Sequence, residues 1–441
     1  MQRKRFASHG TTMTDETRAL SSRRRFLALG GAGLAAPFLI RGNAAHAGFF
    51  TNFNRKPTAP TKTQILWDRG VWPMVTAQSP HLMEEAITRY DLIVRRGGWP
   101  RLPKGRTLVP RSRSKRVRIL RKRLIDEGYL PPEAWTDSKK FDKKLALALM
   151  RFQQNMGLRP TGYVDEKTRK QLNIPAEVRL ETLMANLPRM EWAIQGIAPR
   201  YIIVNIPAAQ LETVENGRVF SRHNIIVGKP DRPSPSLISK ITELNFNPYW
   251  NAPLSIVKKD IIPKARRNPG MLKEMNIRVF DGYGGPEVDP ETIDWNNIDP
   301  KRYHFRQEPG PGNAMASVKI NFPNKYSVYL HDTPTKQLFN AISRYYSSGC
   351  VRVERVHILT NWILKGQDGW DQRRIEEVVK SRERLDVKVL NPPSLIIGYF
   401  TAWVTGDGLV HFRDDIYRLD GTGFVHGQPQ PVVAHAGPPP G

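Results

Sequence analysis

Residues 326–353 read YSVYLHDTPTKQLFNAISRYYSSGCVRV, and this stretch decides how the chain is read. A run over 326–330 has the pattern of a strand and ends on His331. A helix is expected over 336–346, and Ser347-Ser348-Gly349 then leads into Cys350, Val351 and Arg352. Catalytic side chains commonly sit where loops leave a rigid scaffold, so this layout suits a thiol and an imidazole meeting in space. A free thiol has a pKa of roughly 8.5 and is only a few per cent ionised at neutral pH; a neighbouring imidazole can take its proton. Gly349 permits a close backbone approach, and amides around Ser348 and Gly349 could then form an oxyanion hole. Arg352 either holds a substrate carboxylate or braces the loop through a structural salt bridge. Cys350 is the only cysteine of the 441 residues, which excludes an intrachain disulfide and a thiolate zinc site.

Outward from this stretch, strands dominate. Tyr201-Ile202-Ile203-Val204 is followed by apolar runs over 211–214 and 218–227, with Asn216-Gly217 between them. An Asn-Gly pair between such runs marks a hairpin, because both central residues of a type I′ turn need positive φ. Further strands are expected over 239–246, 318–320, 387–390 and 395–404, and a helix over 356–364. Residues 251–316 are rich in Pro, Gly and Asn and poor in periodicity, which in a stretch of that length suits a functional lid or cap. From residue 426 onward the Pro/Gly/His composition reads as a disordered tail.

Residues 113–175 have the pattern of a small helical unit. Val117, Leu120 and Leu124 fall on one helix face, and Leu145, Ala148, Leu149 and Phe152 on another. Gly157 is placed to end the second helix, Pro160-Thr161-Gly162 to turn, and 165–172 to form a third. The basic run 111–123 carries apolar residues at helical spacing, so it reads as the solvated face of a packed helix rather than a nucleic-acid patch. Residues 48–112, with one helix expected over 81–96, read as an arm or scaffold piece. Residues 176–199 read as a linker or scaffold, and 393–425 as a C-terminal strand segment.

The formal net charge is +27, which calls for an anionic partner, either nucleic acid or a surface polyanion. The N-terminus bears on that choice. Ser22-Arg23-Arg24-Arg25-Phe26-Leu27 precedes an apolar run to Ile40, and Ala45-His46-Ala47 offers a small-x-small cleavage site. This order is that of a signal peptide over 1–47, and the adjacent arginines resemble the twin-arginine export signal; Met13 is an alternative start. The run is shorter than the roughly 20 residues that span a bilayer, and Arg41 stops it. Cleavage after Ala47 would leave a chain of 60 basic and 39 acidic residues, near +21, with no permanent membrane anchor. An exported chain seldom meets nucleic acid, so the expected partner is a wall polymer in the periplasm.

Two resemblances sharpen this reading. Val117, Leu120, Leu124, Gly128, Phe152-Gln153, Gly157-Leu158, Gly162, Thr168 and Leu172 follow the order of the peptidoglycan-binding module of cell-wall enzymes. His331-Asp332-Thr333-Pro334 with Ser347-Ser348-Gly349-Cys350-Val351-Arg352 resembles the H…S-x-G-C-[IV]-R signature of the L,D-transpeptidase (YkuD-type) family. Residues 201–207, 247–250, 253–256, 307–314, 321–324 and 401–417 are similar to its larger, multi-domain branch. Asn313-Ala314-Met315-Ala316 stands where relatives often read NALG. The resemblance implies an α+β chain: a mostly antiparallel, β-sandwich-like catalytic domain over 200–392, capped by 251–316, beside a three-helix peptidoglycan-binding domain. It implies that Cys350 is the acyl-accepting thiol and His331 its base, oriented by the backbone carbonyl of Asp332 or by that residue's carboxylate. It further implies cleavage of the bond before the terminal D-alanine of a tetrapeptide stem, resolution of the thioester by an amine or by water, and no metal or nucleotide.

The remaining histidines His223, His304, His357 and His411 lack metal-ligand spacing and read as structural, with His304 in the cap near where substrate would pass. Tyr249, Trp250 and Trp403 read as core or wall-facing platforms.

Overall fold

The computed structural model describes Gln64–Ile65 and residues 71–426. The expected signal segment 1–47 and the tail beyond 426 lie outside the described residues.

The helices begin and end where local chemistry dictates. Asp142 caps Lys143–Asn155 by accepting from the Leu145 amide at 2.8 Å, and Asp165 caps Glu166–Leu172 through the Thr168 amide at 2.8 Å. With Arg116–Asp126 these helices form the expected three-helix unit, and Val117, Leu120, Leu124, Leu145, Leu149 and Phe152 are completely buried. The Phe152-Gln153 pair has a physical meaning here. Gln153 Nε2 donates to Thr161 Oγ1, the Tyr163 carbonyl and Thr168 Oγ1, while its Oε1 accepts from the Gly162 amide. One buried amide thus ties the second helix, the turn and the third helix together.

The segments read as arm and linker are integral to this layer. Ser79–Arg95 packs along Ala176–Ala193, an 18-residue helix, and Tyr90 donates to Glu127 at 3.0 Å. Both helices rest on the hairpin Ala402–Val404 and Val410–Phe412. Arg413 reaches across to the Asn155 carbonyl at 2.7 Å, and Asn186 exchanges hydrogen bonds with Thr401 at 2.6 and 3.0 Å.

The catalytic part is built from ten strands: β1 (Arg200–Asn205), β2 (Gln210–Glu215), β3 (Arg218–Gly228), β4 (Leu237–Lys240), β5 (Glu243–Phe246), β6 (Val318–Asn321), β7 (Leu330–His331), β8 (Val351–Val353), β9 (Leu385–Lys388) and β10 (Ser394–Gly398). Their order is β9-β5-β6-β7-β8-β3-β2-β1-β10-β4, antiparallel except at β7–β8 and β1–β10. Gln64–Ile65 and Tyr345–Ser347 pair with β3 off this path. Asn216 and Gly217 take φ of 49° and 74°, the turn their dipeptide called for. The 11-residue β3 serves both halves of the sheet, pairing with β2 through its first part and with β8 at Ile225 and Ile226. The halves curl over one shared core, to which Val204, Ile225, Leu244, Ile320, Leu330 and Val351 all belong. Helices Val356–Ile363 and Gln372–Ser381 add Leu359, Trp362 and Ile375 to it.

Several local expectations are corrected. The strand over 326–330 survives only as Leu330–His331, because Asn324 Oδ1 takes the Tyr326 and Val328 amides and Ser327 adopts φ 55°. The helix over 336–346 is a short 3₁₀ turn, Lys336–Asn340, followed by a strand. Buried Arg344 donates to the Ile225 and Ala209 carbonyls and its own carbonyl accepts from Val227, which draws the chain onto β3. The runs 239–246 and 395–404 each break in two, the first at the corner between β4 and β5. His426, placed at the head of the tail, is buried, ring-packed against Trp192, Phe400 and Phe424, and accepts from the Tyr399 amide at 2.8 Å.

The irregular stretch 251–316 has its own small sheet and core. Trp250–Asn251, Tyr303–Gln307, Ile277–Asp281 and Glu287–Val288 pair in that order over Val257, Ile261, Leu272, Val279, Trp295 and Phe305. Ala316 holds φ 47°, a left-handed conformation that favours glycine.

Candidate active site

Strand register, more than proximity in sequence, assembles the site. In the parallel pair β7–β8, Leu330 lies beside Val351 and His331 beside Arg352. In the antiparallel pair β6–β7, Lys319 lies opposite His331. Side chains alternate along a strand, and directly paired residues share a face. Leu330, Val351, Val353, Val318 and Ile320 point into the core. Their alternates Tyr329, His331, Cys350, Arg352 and Lys319 therefore emerge together on the opposite face.

The cysteine loop is held by a chain of short contacts. Ser347 Oγ donates to the Cys350 carbonyl at 2.5 Å and accepts from the Gly349 amide at 3.1 Å. Ser234 Oγ donates to the Gly349 carbonyl at 2.7 Å and accepts from the Gly228 amide at 2.9 Å. The Ser347 carbonyl accepts from the Lys229 amide, and the Val351 amide donates to the Tyr329 carbonyl. Gly349 has φ 116°, which side-chain-bearing residues rarely adopt. At Gly228 a Cβ would lie 2.3 Å from the Arg232 carbonyl oxygen, so glycine is required for the 229–236 loop to fold back. The exposed Ser348 accepts from Arg232 Nη1 at 3.0 Å. Arg232 is also paired with Asp260 of the 251–316 stretch at 2.5 Å, so the loop touches the cysteine turn and that stretch at once.

The electrostatics divide the two reactive groups. His331 is 6% exposed, and burial, with Arg352 next and Lys319 contributing, lowers its pKa to about 3; the backbone and carboxylate of Asp332 act in the opposite sense. Its Nδ1 is buried without a hydrogen-bond partner. Burial pushes the Cys350 thiol above its ordinary value. The backbone and hydroxyl of Tyr329 and the charges of Lys319 and Arg352 pull it back. Tyr329 stands edge-on to His331 with ring centres 5.5 Å apart, and burial raises its own pKa. Trp250, at the base of the cap, hydrogen-bonds the same hydroxyl.

Cys350, His331 and Arg352 thus share one face. The Asp332 carboxylate is turned elsewhere: it accepts from Ser317 Oγ at 2.6 Å and pairs with Lys336, while Ser317 bonds His357 at 2.8 Å. Arg352 pairs with no carboxylate among the described residues; its one contact is Thr335 Oγ1 at 3.5 Å, and its Nε is buried and unbonded. Among the oxyanion candidates, the Gly349 amide is already taken by Ser347. His223 is structural, bonded to Ser221 and the Glu354 carbonyl at 2.8 Å each, and His411 stacks on Trp403. His304 lies on the cap sheet against Asn251 and Tyr283.

Sequence reading passed over Tyr329, Lys319 and the Ser234–Arg232 loop as site elements, and took Trp250 for a core or wall-facing platform. The first two were legible as i−2 from His331 and as the polar alternate in Val-Lys-Ile-Asn; the others come from distant segments and carry no local signal.

Residues 199–379 match the family described as L,D-transpeptidase catalytic domain, and residues 113–172 the one described as "Putative peptidoglycan binding domain". A curated relative from Haemophilus influenzae, "Putative L,D-transpeptidase", is 36% identical over 220 residues, which are 50% of this chain and 44% of that protein. The chain thus spans less than half the length of that relative. Among solved structures, the L,D-transpeptidase of Xylanimonas cellulosilytica is 14% identical, covering 67% of this chain and 98% of that one, with a TM-score of 0.21. L,D-transpeptidase 3 from Mycobacterium tuberculosis, in complex with a faropenem-derived adduct, is 9% identical over 45% and 60%, with a TM-score of 0.23. Overall superpositions this poor carry no weight beside the family matches. Residues 199–379 thus resemble an L,D-transpeptidase catalytic domain, and residues 113–172 before them resemble a peptidoglycan-binding domain.

Proposed function

We propose that this chain is an exported cell-wall L,D-transpeptidase that joins stem peptides through a Cys350 thioester. The observation that supports it is the single sheet face shared by Cys350, His331 and Arg352 under the cap. With a pKa near 3, His331 is neutral at physiological pH and free to accept the thiol proton. Sulfur would then bond to the carbonyl carbon of the stem's third residue. His331 would return the proton to the departing D-alanine amine as the C–N bond breaks. An amine of a neighbouring stem would next attack the thioester, lose its proton to His331 and restore the thiol. The Asp332 backbone would orient the imidazole, and Arg352, which pairs with no carboxylate among the described residues, would take a substrate carboxylate. The Ser348–Cys350 turn would receive the oxyanion, with the Cys350 amide the better donor because that of Gly349 is occupied. The cap would exclude water and so favour the amine. Among the described residues no helix is long and apolar enough to cross a membrane.

The test is mass spectrometry of disaccharide-tetrapeptide incubated with the chain lacking residues 1–47, beside Cys350→Ala. A stem dimer lacking one D-alanine, absent with Cys350→Ala, is expected. Tripeptide alone would make the enzyme an L,D-carboxypeptidase, and no product would leave wall binding as the surviving function.

A further inference from the structure

Lys319 is not explained by the fold or by the chemistry above. It sits in β6 between Asn245 and His331, on the face that carries Cys350, and is half-buried. Among the described residues no carboxylate lies within ion-pair distance of it. The two acids of that face are engaged elsewhere: Glu243 accepts from Asn245 and Asn321, and Asp386 from Asn245 and Arg384. The Lys319 ammonium instead stands 4.7 Å over the centre of the Tyr329 ring. Tyr329 turns its hydroxyl to the sulfur, and the next strand over carries Cys350 itself. A half-buried ammonium with no anion is costly to keep unless an anion forms beside it during function. Two groups on this face can become that anion; burial holds the Tyr329 phenol far from ionising, which leaves the thiol.

We propose that Lys319 is a positioning residue of this site, whose ammonium, held over Tyr329 and beside His331, favours the anionic form in which the Cys350 sulfur attacks. The charged and titratable groups facing that sulfur are Lys319 from β6, Tyr329 and His331 from β7, and Arg352 from β8; Trp250 from the cap brings no charge. Lys319 and Arg352 flank His331 on either side in one cross-strand row. Their charges act on both reactive groups in the same sense, discouraging an imidazolium and favouring a thiolate. The inference rests on Cys350 being the nucleophile, and it can be read without any cell-wall substrate.

The experiment is the pH dependence of Cys350 alkylation by iodoacetamide, which reacts with the thiolate and reports directly on its fraction. Lys319→Met is expected to move the midpoint of the rate profile upward by about one unit. The rate below the midpoint then falls about tenfold with an unchanged high-pH plateau, and Lys319→Arg restores it to within about threefold. A Lys319→Met profile with the midpoint of the unsubstituted protein overturns the proposal. So does a rate lowered equally at every pH, which is the mark of altered packing. Should Lys319→Met not fold, Lys319→Gln carries the same comparison. A normal alkylation profile and the expected Lys319 shift in a protein that forms no cross-links would sink the transpeptidase reading and leave this inference standing.

Discussion

Acidification should strip this chain of stability well before its carboxylates titrate, because buried histidines are held neutral. His223, His331 and His426 are 0%, 6% and 4% exposed, and burial is the first cause that brings their pKa values down to about 4, 3 and 3. In the unfolded chain each returns to about 6.5. The folded value lies below the unfolded one, so the unfolded state binds more protons as pH falls. The stabilisation is present above about pH 6.5 and is lost progressively down to the folded values near 3 to 4. Between about pH 7 and about pH 5 each ring costs ~2 kcal/mol, and three together ~6 kcal/mol, a large share of the 5–15 kcal/mol that roughly bounds a folded domain. Carboxylates held below their ordinary values, such as Asp142 and Asp386, titrate beneath this window. Urea denaturation followed by tryptophan fluorescence across that range should show stability falling by ~4 kcal/mol per pH unit at its steepest. His223→Gln should lose stability at neutral pH, since it breaks the contacts to Ser221 and the Glu354 carbonyl, yet reduce the slope by about one third. A flat profile, or a slope unchanged in His223→Gln, would refute the reasoning.

Two further outcomes follow from the site. Because His331 is already neutral, kcat/KM for stem cross-linking, divided by the thiolate-dependent alkylation rate at the same pH, should change less than about threefold between pH 7 and 5.5 while the chain stays folded. An ordinary imidazole would lose roughly eightfold over that range, and a loss of that size would show that His331 is not so depressed. Gly349→Ala should lower the melting temperature by a few degrees and product formation more than about tenfold. The cause is strain of ~1–3 kcal/mol at φ 116° rather than collision, since the nearest atoms to an added Cβ stand at 3.5 and 3.6 Å; unchanged values on both counts would remove the loop-strain argument.

Some of this architecture is written locally. The Asn216-Gly217 turn, the Asp142 and Asp165 caps and the alternation of Val318–Asn321 follow from φ preference, capping chemistry and side-chain period, and each depends on a few adjacent residues. The presence of Cys350 and His331 at the two ends of one short segment was legible in the same way, and strand register then sets them on one face. Where local pattern failed, a distant partner prevailed in two cases and a local one in a third. Arg344 binds β3 and turns an expected helix into a strand, and His426 packs on Trp192 and Phe400 from distant segments as well as on nearby Phe424; Asn324 consumes amides two and four residues on that a longer strand would need.

By itself, then, the sequence determined which groups could react and where the chain would turn, since thiol, imidazole, glycine and cap act over a few bonds. Only the tertiary structure decided which charges surround them. The register of β6, β7 and β8 sets Lys319 and Arg352 on either side of His331, and the packed core buries the row from water. Hydrogen-bond register and burial are properties of segments brought together from far apart, and they set the protonation states on which the chemistry depends.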